Sequence, residues 1–256
     1  MSEGGARVSR LYRYPVKGLS PERMAEVVLR PGETVPGDRM WAIENGPGGF
    51  DPGAPKHLPK IHFLMLMRNE RLAALETHYD DATATLTISR GGKQVARGQL
   101  SSAIGRSMIE QFMAAYMKAD LRGAPRVVSS PGHSFSDVAA KCVHIVNLAT
   151  IREVERVMGR TLDPLRFRPN IIIDGLEPWA ENGWVGKDIV IGPVRLSVFK
   201  RTERCSATNV DPATAVRDTD VPAALLRTWG HSDLGVYAGV SSPGVVRDGD
   251  EVVPGY

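Results

Sequence analysis

The segment 199–212 carries the residues best suited to chemistry in this chain. It places Cys205 directly after Arg204, and Lys200 and Arg201 come shortly before the pair. A nearby cation favours the thiolate over the thiol, and the thiolate is the form that attacks electrophiles or binds a soft metal. We therefore expect Cys205 to be a usable sulfur, although the residues alone leave a purely structural role open.

The second cysteine has a different setting. Cys142 lies in the apolar, strand-like run 138–146, where a free cysteine usually behaves as a small hydrophobic residue. The two cysteines show neither a disulfide framework nor metal-ligand spacing, which is typical of a reducing compartment. The N-terminus has no apolar signal segment and no run is long and apolar enough to span a bilayer. These features predict a cytoplasmic protein without a membrane partner.

The charge of the chain argues against a nucleic-acid partner and leaves a phosphorylated small molecule as a possible ligand. The chain has 32 basic and 29 acidic residues, a net charge of +3, so a concentrated field for nucleic acid is not expected. Five basic residues nevertheless fall around the thiol in sequence: Arg166, Arg168, Lys200, Arg201 and Arg204. They indicate either a solvated face or an anion site for a phosphorylated small molecule, which the planar fork of arginine would suit.

The elements that must position these residues are mostly strands. In the first hundred residues the runs with strand composition are 6–13, 24–29, 39–44, 72–78 and 82–89, separated by Gly and Pro turns. This pattern favours an antiparallel sheet or barrel. The stretch 46–59, rich in Gly and Pro, is expected to be an exposed loop. In the second half, strands are expected at 127–129, 143–147, 171–173, 189–191, 194–199 and 235–240, which places Cys205 at a strand end.

Two helices are predicted between the strands. Ile104, Met108, Phe112 and Tyr116 recur every four residues through 102–118 and predict a helix with that stripe facing the core. A second helix follows the strand 143–147, with Gly159 at its end and an inward face that comprises Ile151, Val154, Val157 and Met158. No phosphate loop, dinucleotide fingerprint or nucleophile elbow is present, which removes several common enzyme classes.

Five sequence blocks in order give the chain a family resemblance. They are Tyr14 to Gly18, Gly37 to Trp41, Arg166 to Asp174, the Cys205 segment, and Gly235 to Gly244 followed by Gly249 and Asp250. Together they resemble the MOSC family, named for the molybdenum cofactor sulfurase C-terminal domain, over nearly the whole chain. The branch that looks most similar contains the mitochondrial amidoxime-reducing component and its bacterial relatives. The resemblance implies an α+β, mostly β fold, with an N-terminal β-barrel-like domain (1–122) and a β-barrel MOSC domain with peripheral helices (123–256).

The resemblance also implies a site. By motif position Cys205 would ligate molybdenum, with Arg204 beside it through backbone or side chain. Lys17, Arg39, Arg168 and Asn170 would contact the molybdenum cofactor. A soft thiolate suits molybdenum already held by the dithiolene of its pterin. Each cofactor contact has an ordinary alternative at this point: Lys17 as a surface lysine, Arg39 as a partner of Asp38, and Asn170 as a turn residue.

The implied function is reduction of N-hydroxylated or N-oxygenated small molecules, with electrons from a separate ferredoxin-like or haem protein. Two positions depart from the reductase pattern, since Gly18 and Leu66 stand where hydroxyl side chains are expected. Two alternatives therefore stay open. The chain could carry sulfur as a persulfide, or carry the cofactor, without turnover of its own, or it could be a stable barrel with a vestigial cysteine.

Overall fold

The structure is a computed structural model, and it describes residues 5–255. The strands are β1 (Arg7–Arg13), β2 (Glu22–Met24), β3 (Glu26–Leu29), β4 (Ala42–Glu44), β5 (Glu76–Asp80), β6 (Thr85–Arg90), β7 (Lys93–Gln99), β8 (Arg126–Val128), β9 (Val143–Asn147), β10 (Ile171–Asp174), β11 (Asp188–Ile191), β12 (Val194–Glu203), β13 (Asp233–Val240), β14 (Gly244–Arg247) and β15 (Val252–Val253). The α-helices are α1 (Ala103–Tyr116), α2 (Leu148–Met158) and α3 (Val221–Trp229). The predicted α+β, mostly β fold is confirmed.

One curled sheet organises the molecule. Its eight strands run in the order β15-β11-β12-β13-β9-β10-β1-β2, and only the β9–β10 pairing among them is parallel. The N-terminal β1 lies beside β10, while β3 pairs with β14 and β4 with β8. Strands from the two ends of the sequence therefore share one core, and the division at residue 122 stays a prediction.

The central strand β9 is buried along its whole length, as expected where both faces of a sheet are covered. Val143 and Ile145 pack into the core of the curled sheet, and Val146 packs against α2 and α3 on the other face. Because side chains alternate along a strand, His144 lies on the same face as Val146. Of these two residues, His144 lines the candidate site described below.

The predicted helix α1 is present, but its predicted inward face is only half right: Phe112 and Tyr116 pack against the core, and Ile104 and Met108 do not. Ile104 is 78% exposed and Met108 is 52% exposed, whereas Gly105, Ile109 and Met113 are buried. The reason is the close approach of α1 to β7: a Cβ at Gly105 would lie 2.1 Å from the Gln99 carbonyl oxygen. Only the face that carries glycine can meet the sheet so closely, so the helix is rotated relative to the predicted stripe.

Helix α2 agrees more closely with its prediction. The Asn147 side chain accepts a hydrogen bond from the Ala149 N–H at its start, and Gly159 ends it at φ 66°. Ile151 and Val154 are buried and Met158 is half-buried, while Val157 is exposed, contrary to its predicted place in the inward face. Within residues 5–255, none of the helices combines the length and the apolar character needed to cross a bilayer.

Two expected strands differ in the structure. The run 39–44 is a strand only from Ala42, because Arg39 adopts the left-handed conformation at φ 51°. The run 72–78 begins as a 3-10 helix, Glu70–Ala74, and becomes β5 only at Glu76. Strand β7 was not predicted, because its polar residues give it no apolar alternation. Helix α3 and the short strands β14 and β15 were not predicted either.

Candidate functional site

A cavity of about 240 Å³ opens beside the ends of β10 and β12. All six residues assigned by motif position line it: Lys17, Arg39, Arg168, Asn170, Arg204 and Cys205. They come from segments far apart in the sequence and meet because β1, β9, β10, β12 and β13 share one sheet. Whether they hold a cofactor stays a prediction.

Cys205 lies just after β12, which confirms the expected place at a strand end. Its carbonyl oxygen accepts hydrogen bonds from the N–H and Oγ1 of Thr208, at 3.0 and 2.9 Å, in the 3-10 turn that follows. The thiol is free and partly exposed. The cation found beside it is Lys60, whose Nζ lies 3.5 Å from the Cys205 sulfur. Arg201 instead donates to the Asn182 carbonyl at 3.3 Å, so the expectation that it contributes to the thiol's surroundings is wrong.

Lys17 is buried and is not a surface lysine. Its Nζ donates to the Phe135 carbonyl at 2.8 Å and to the Asp137 carboxylate at 2.5 Å, and Asp137 also pairs with Lys60 at 3.3 Å. Burial lowers the pKa of Lys17, although Asp137 opposes this shift. Burial would raise the pKa of Asp137, but the two lysines outweigh it and hold that pKa well below its usual range. Asp137 thus links the base of the cavity to the cation beside Cys205.

Arg39 and Arg168 flank one buried tyrosine. Their guanidinium carbons lie 4.7 and 4.1 Å from the centroid of the Tyr14 ring. Arg39 also pairs with the buried Asp38 carboxylate, which is the ordinary alternative considered for it, and it donates to the Arg168 carbonyl at 3.2 Å. Its charge is therefore largely compensated within the protein.

Arg168 has no carboxylate partner among its hydrogen bonds. Its Nη1 donates to the Leu19 carbonyl at 2.8 Å, whereas its Nη2 is buried without a protein partner. Burial, and then repulsion from Arg39, lower the pKa of Arg168 to about 10. The guanidinium is thus held by a neutral acceptor and retains hydrogen-bonding capacity that the protein does not use.

Asn170 ties two strands together. Its Oδ1 accepts the His144 N–H at 3.1 Å, and its Nδ2 donates to the Tyr12 carbonyl at 3.2 Å. These contacts join β9 to β1, so the side chain stabilises the sheet at the cavity wall rather than closing a turn. Any contact with a ligand would add to bonds that the amide already makes.

Arg204 is also held by neutral acceptors. Its Nη2 donates to the Phe167 carbonyl at 2.7 Å, and its Nη1 lies 3.2 Å from the Nε2 of His144. Its Nε is buried without a protein partner, and so is the Oγ1 of Thr202, another residue of the cavity wall. Buried polar atoms in folded proteins are almost always satisfied, so the unpartnered atoms at this cavity call for an ordered water or a polar ligand as their partner.

The charged residues of the cavity wall indicate which charge a ligand there would carry. Seven cationic residues line the cavity: Lys17, Arg39, Lys60, Arg166, Arg168, Lys200 and Arg204. The acidic residues in the same wall are Asp38, Asp137 and Glu203. Arg166 is compensated by Asp211 and Asp218 outside the wall, and the other six cations still outnumber the three carboxylates. This excess of positive charge favours an anionic ligand, and arginine donors suit phosphate in particular.

Sequence reasoning missed four residues of this site: Lys60, Asp137, His144 and Tyr14. Lys60 and Asp137 lie in segments with no periodic pattern, and only the end of the Gly- and Pro-rich stretch marks Lys60. His144 did give a signal, because it is one polar side chain within an apolar strand run. Tyr14 stood inside a recognised block without an assigned role.

Comparison with known proteins identifies the family. The model of the MOSC N-terminal beta barrel domain matches residues 5–123, and that of the MOSC domain matches residues 130–253. Mitochondrial amidoxime-reducing component 1 of Mus musculus is 28% identical over 148 residues, covering 53% of this chain and 41% of that protein. Its counterpart from Xenopus laevis is 35% identical over 122 residues, covering 42% and 35%.

The chain therefore matches less than half the length of these curated relatives. Among solved structures, the YUAD protein of Bacillus subtilis matches with a TM-score of 0.45 and 16% identity, covering 97% of this chain and 94% of that one. The two domain models together match almost all of residues 5–253. The protein belongs to the MOSC family.

Proposed function

We propose that this protein is a molybdenum-cofactor-dependent reductase of N-hydroxylated small molecules, with Cys205 as the protein ligand of the metal. The observation that carries the proposal is the meeting of a partly exposed cysteine with unpartnered arginine donors in one cationic cavity. The relatives named amidoxime-reducing components support the reaction class.

The residues present fit such a cofactor. Arg168 and Arg204 each keep a buried nitrogen without a protein partner, which suits a phosphorylated pterin. Cys205 supplies the soft thiolate that molybdenum accepts. Lys17 and Lys60 add positive charge, with Asp137 fixing both ammonium groups. When bound, the cofactor would supply a metal centre able to take an oxygen atom from an N–O group in a two-electron reduction.

The protein's own part is positioning. The 3-10 turn after Cys205 fixes the main chain that presents the sulfur, and the Arg204 N–H donates to the Ser232 carbonyl at 2.8 Å. Electrons would come from a separate ferredoxin-like or haem protein, because the sequence has neither an iron–sulfur cysteine set nor a flavin motif. Binding of such a donor near the cavity mouth is part of the proposal.

Gly18, where the reductase pattern has a hydroxyl residue, has a structural explanation. Its φ is +80°, and a Cβ there would lie 3.0 Å from the Leu64 carbonyl oxygen. A serine would be strained in this backbone conformation. The absent hydroxyl therefore accompanies a turn that needs glycine, and Leu66 adds an apolar side chain to the nearby cavity wall. Both residues line the same cavity as Arg168, Arg204 and Cys205.

Metal content tests the proposal. The protein, Cys205→Ala and Cys142→Ala would be produced in a host that makes molybdenum cofactor, and molybdenum per chain measured by mass spectrometry. Cys142 is the matched control, because it is a buried free thiol in the wall of the same cavity. We expect near-stoichiometric metal in the wild type and Cys142→Ala and a sharp loss in Cys205→Ala. No molybdenum in the wild type would contradict the proposal.

Turnover then separates an enzyme from a carrier. A metal-loaded protein should reduce an N-hydroxylated compound such as a simple amidoxime when a chemical reductant supplies electrons. Stoichiometric molybdenum without turnover of any N-oxygenated compound would favour a cofactor carrier. A persulfide on Cys205 in the absence of metal would favour a sulfur carrier.

A further inference from the structure

Within residues 5–255, three arginines of the cavity wall keep a buried nitrogen without a protein partner: Arg166, Arg168 and Arg204. Arg166 is paired with two carboxylates, and His144 joins the other two. It is 4% exposed and lines the cavity from β9. Its Nδ1 lies 3.2 Å from the Arg168 carbonyl oxygen, and its Nε2 lies 3.2 Å from the Nη1 of Arg204. The imidazole therefore contacts the main chain of one arginine and the guanidinium of the other.

The partners fix the protonation of the ring. A carbonyl oxygen only accepts and a guanidinium only donates, so Nδ1 carries the hydrogen and Nε2 accepts. A second proton on Nε2 would face the Arg204 cation. Burial, and then the Arg204 charge, lower the pKa of His144 well below its ordinary value. The residue is a neutral imidazole with one tautomer.

The surrounding backbone makes room for this arrangement. Gly235, in the neighbouring strand β13, has a φ of +80°, and a Cβ there would lie 2.6 Å from the Ile145 carbonyl oxygen and 3.0 Å from the Nε2 of His144. The main chain of Arg168 is also unusual, with a φ of +52°. Its carbonyl is held in this conformation by the imidazole and by the Nη2 of Arg39 at 3.2 Å. Gly235 and Arg168, both with a positive φ, thus lie against His144.

We propose that His144 is a positioning residue, which orients Arg168 and Arg204 together as a site for an anionic group of the ligand. This inference rests on the proposed function, in which the same arginines bind a phosphorylated cofactor. An apolar residue would satisfy the strand's burial equally well but would leave the Arg168 carbonyl and the Arg204 guanidinium with one partner fewer each. Loss of a hydrogen bond that holds a charged binding group is expected to weaken binding by about 10-fold.

Binding of inorganic phosphate to the protein without cofactor provides the test. Phosphate would be titrated at constant ionic strength into ¹⁵N-labelled protein, with the Nε–H signals of Arg168 and Arg204 followed by NMR. The variants are His144→Leu, which removes both contacts, and His144→Gln, whose amide offers one donor and one acceptor. Val146→Ala is the matched control, because Val146 is a buried residue on the same face of β9 that packs against other elements. Arg204→Gln shows the effect of removing a binding group.

We expect His144→Leu to bind phosphate about 10-fold more weakly. His144→Gln should bind close to wild type, and Val146→Ala should lose stability but keep the affinity. The ring ¹⁵N signals of His144 should show a protonated Nδ1 and an unprotonated Nε2. Wild-type affinity in His144→Leu would overturn the inference, as would an equal loss in Val146→Ala, absence of phosphate binding at the two arginines, or the opposite tautomer. If His144→Leu does not fold, His144→Asn, whose shorter amide reaches one partner at most, takes its place with the same expectation.

Failure of the positioning role of His144 can be distinguished from failure of the proposed molybdenum-cofactor function. Phosphate binding that depends on His144, in a protein that takes up no molybdenum, would contradict the cofactor and leave the positioning role standing. Full molybdenum and full phosphate affinity in His144→Leu would overturn the positioning role alone.

Discussion

Arg166 and Arg168 stand on either side of Phe167, yet the fold uses the two charges differently. Arg166 is almost fully buried and donates to two carboxylates, Asp211 at 2.6 Å and Asp218 at 2.8 and 2.9 Å. Arg168 donates to a main-chain carbonyl and lies against the Tyr14 ring. Carboxylates compensate a guanidinium charge, whereas neutral acceptors orient the group and leave its charge for a ligand.

Arg204 belongs with Arg168 in this comparison, since a carbonyl and a neutral imidazole hold it. The sequence left two explanations for the basic residues near Cys205, a solvated face or an anion site. Each explanation therefore applies to different residues of that group. Arg166 is a structural ion pair, Arg168 and Arg204 form the candidate anion site, and Arg201 is part of an exposed face. Partner chemistry, rather than position in the sequence, separates these roles.

Removal of Arg166 should give the largest effect on stability. Arg166→Met leaves Asp211 and Asp218 without their buried partner, and breaking such a pair costs about 3 kcal/mol where, as here, the carboxylates can regain water. The free energy of unfolding, measured by urea denaturation, should fall by that amount. Arg152→Met is the control, because Arg152 pairs with Asp174 at an exposed position and should lose much less. Equal losses in the two variants would contradict the assigned structural role.

Removal of Arg168 should give the opposite profile. Arg168→Met loses one carbonyl contact and also relieves an uncompensated buried charge, so its free energy of unfolding should change by less than about 1 kcal/mol. Its molybdenum content or phosphate affinity should fall about 10-fold, because a hydrogen bond to a charged group is lost. Stability and ligand binding measured on the same preparations check this prediction. A loss of stability as large as that of Arg166→Met would remove the contrast between the two arginines.

The smallest effect should be a pH dependence at Asp218. Its hydrogen bonds from Arg166 lower the pKa of Asp218 below the ordinary value of 3.8. A lowered pKa in the folded state gives stability that is complete above the ordinary value and is lost as the pH falls through the folded value. Asp218→Asn should therefore be less stable than wild type by about 1 kcal/mol at neutral pH, and the difference should shrink below pH 3.8. Urea denaturation at a series of pH values measures it, and a constant difference would contradict the assignment.

Local sequence pattern predicted where the helices lie better than it predicted which face of each helix is buried. The sequence correctly indicated the helix α1, but the apolar stripe at Ile104 and Met108 faces outward. Helical periodicity defines several possible faces, and the contact between Gly105 and β7 selects one of them. Gly159 could be predicted as the end of α2, because a left-handed C-cap depends only on local conformation.

At the candidate site, too, local motifs predicted some residues and tertiary contacts decided the others. Motif position predicted Lys17, Arg168, Arg204 and Cys205 as site residues, and the fold places all of them at one cavity. Lys60 and Asp137 escaped notice because their role depends on contacts across long stretches of chain. The charge beside the thiol was expected from its sequence neighbours, yet a residue 145 positions away provides the contact found.

The sequence by itself determined the mostly β fold, the bounds of α1 and α2 to within a few residues, the place of Cys205 at a strand end and the family blocks. These depend on side-chain periodicity, turn residues and short motifs, all of which act over a few neighbouring positions. Tertiary structure alone decided which arginines are compensated, which face of α1 is buried, and how His144 joins Arg168 to Arg204. Those outcomes depend on which distant groups share a few ångströms of space, and electrostatic and hydrogen-bonding energies follow that distance rather than separation along the chain.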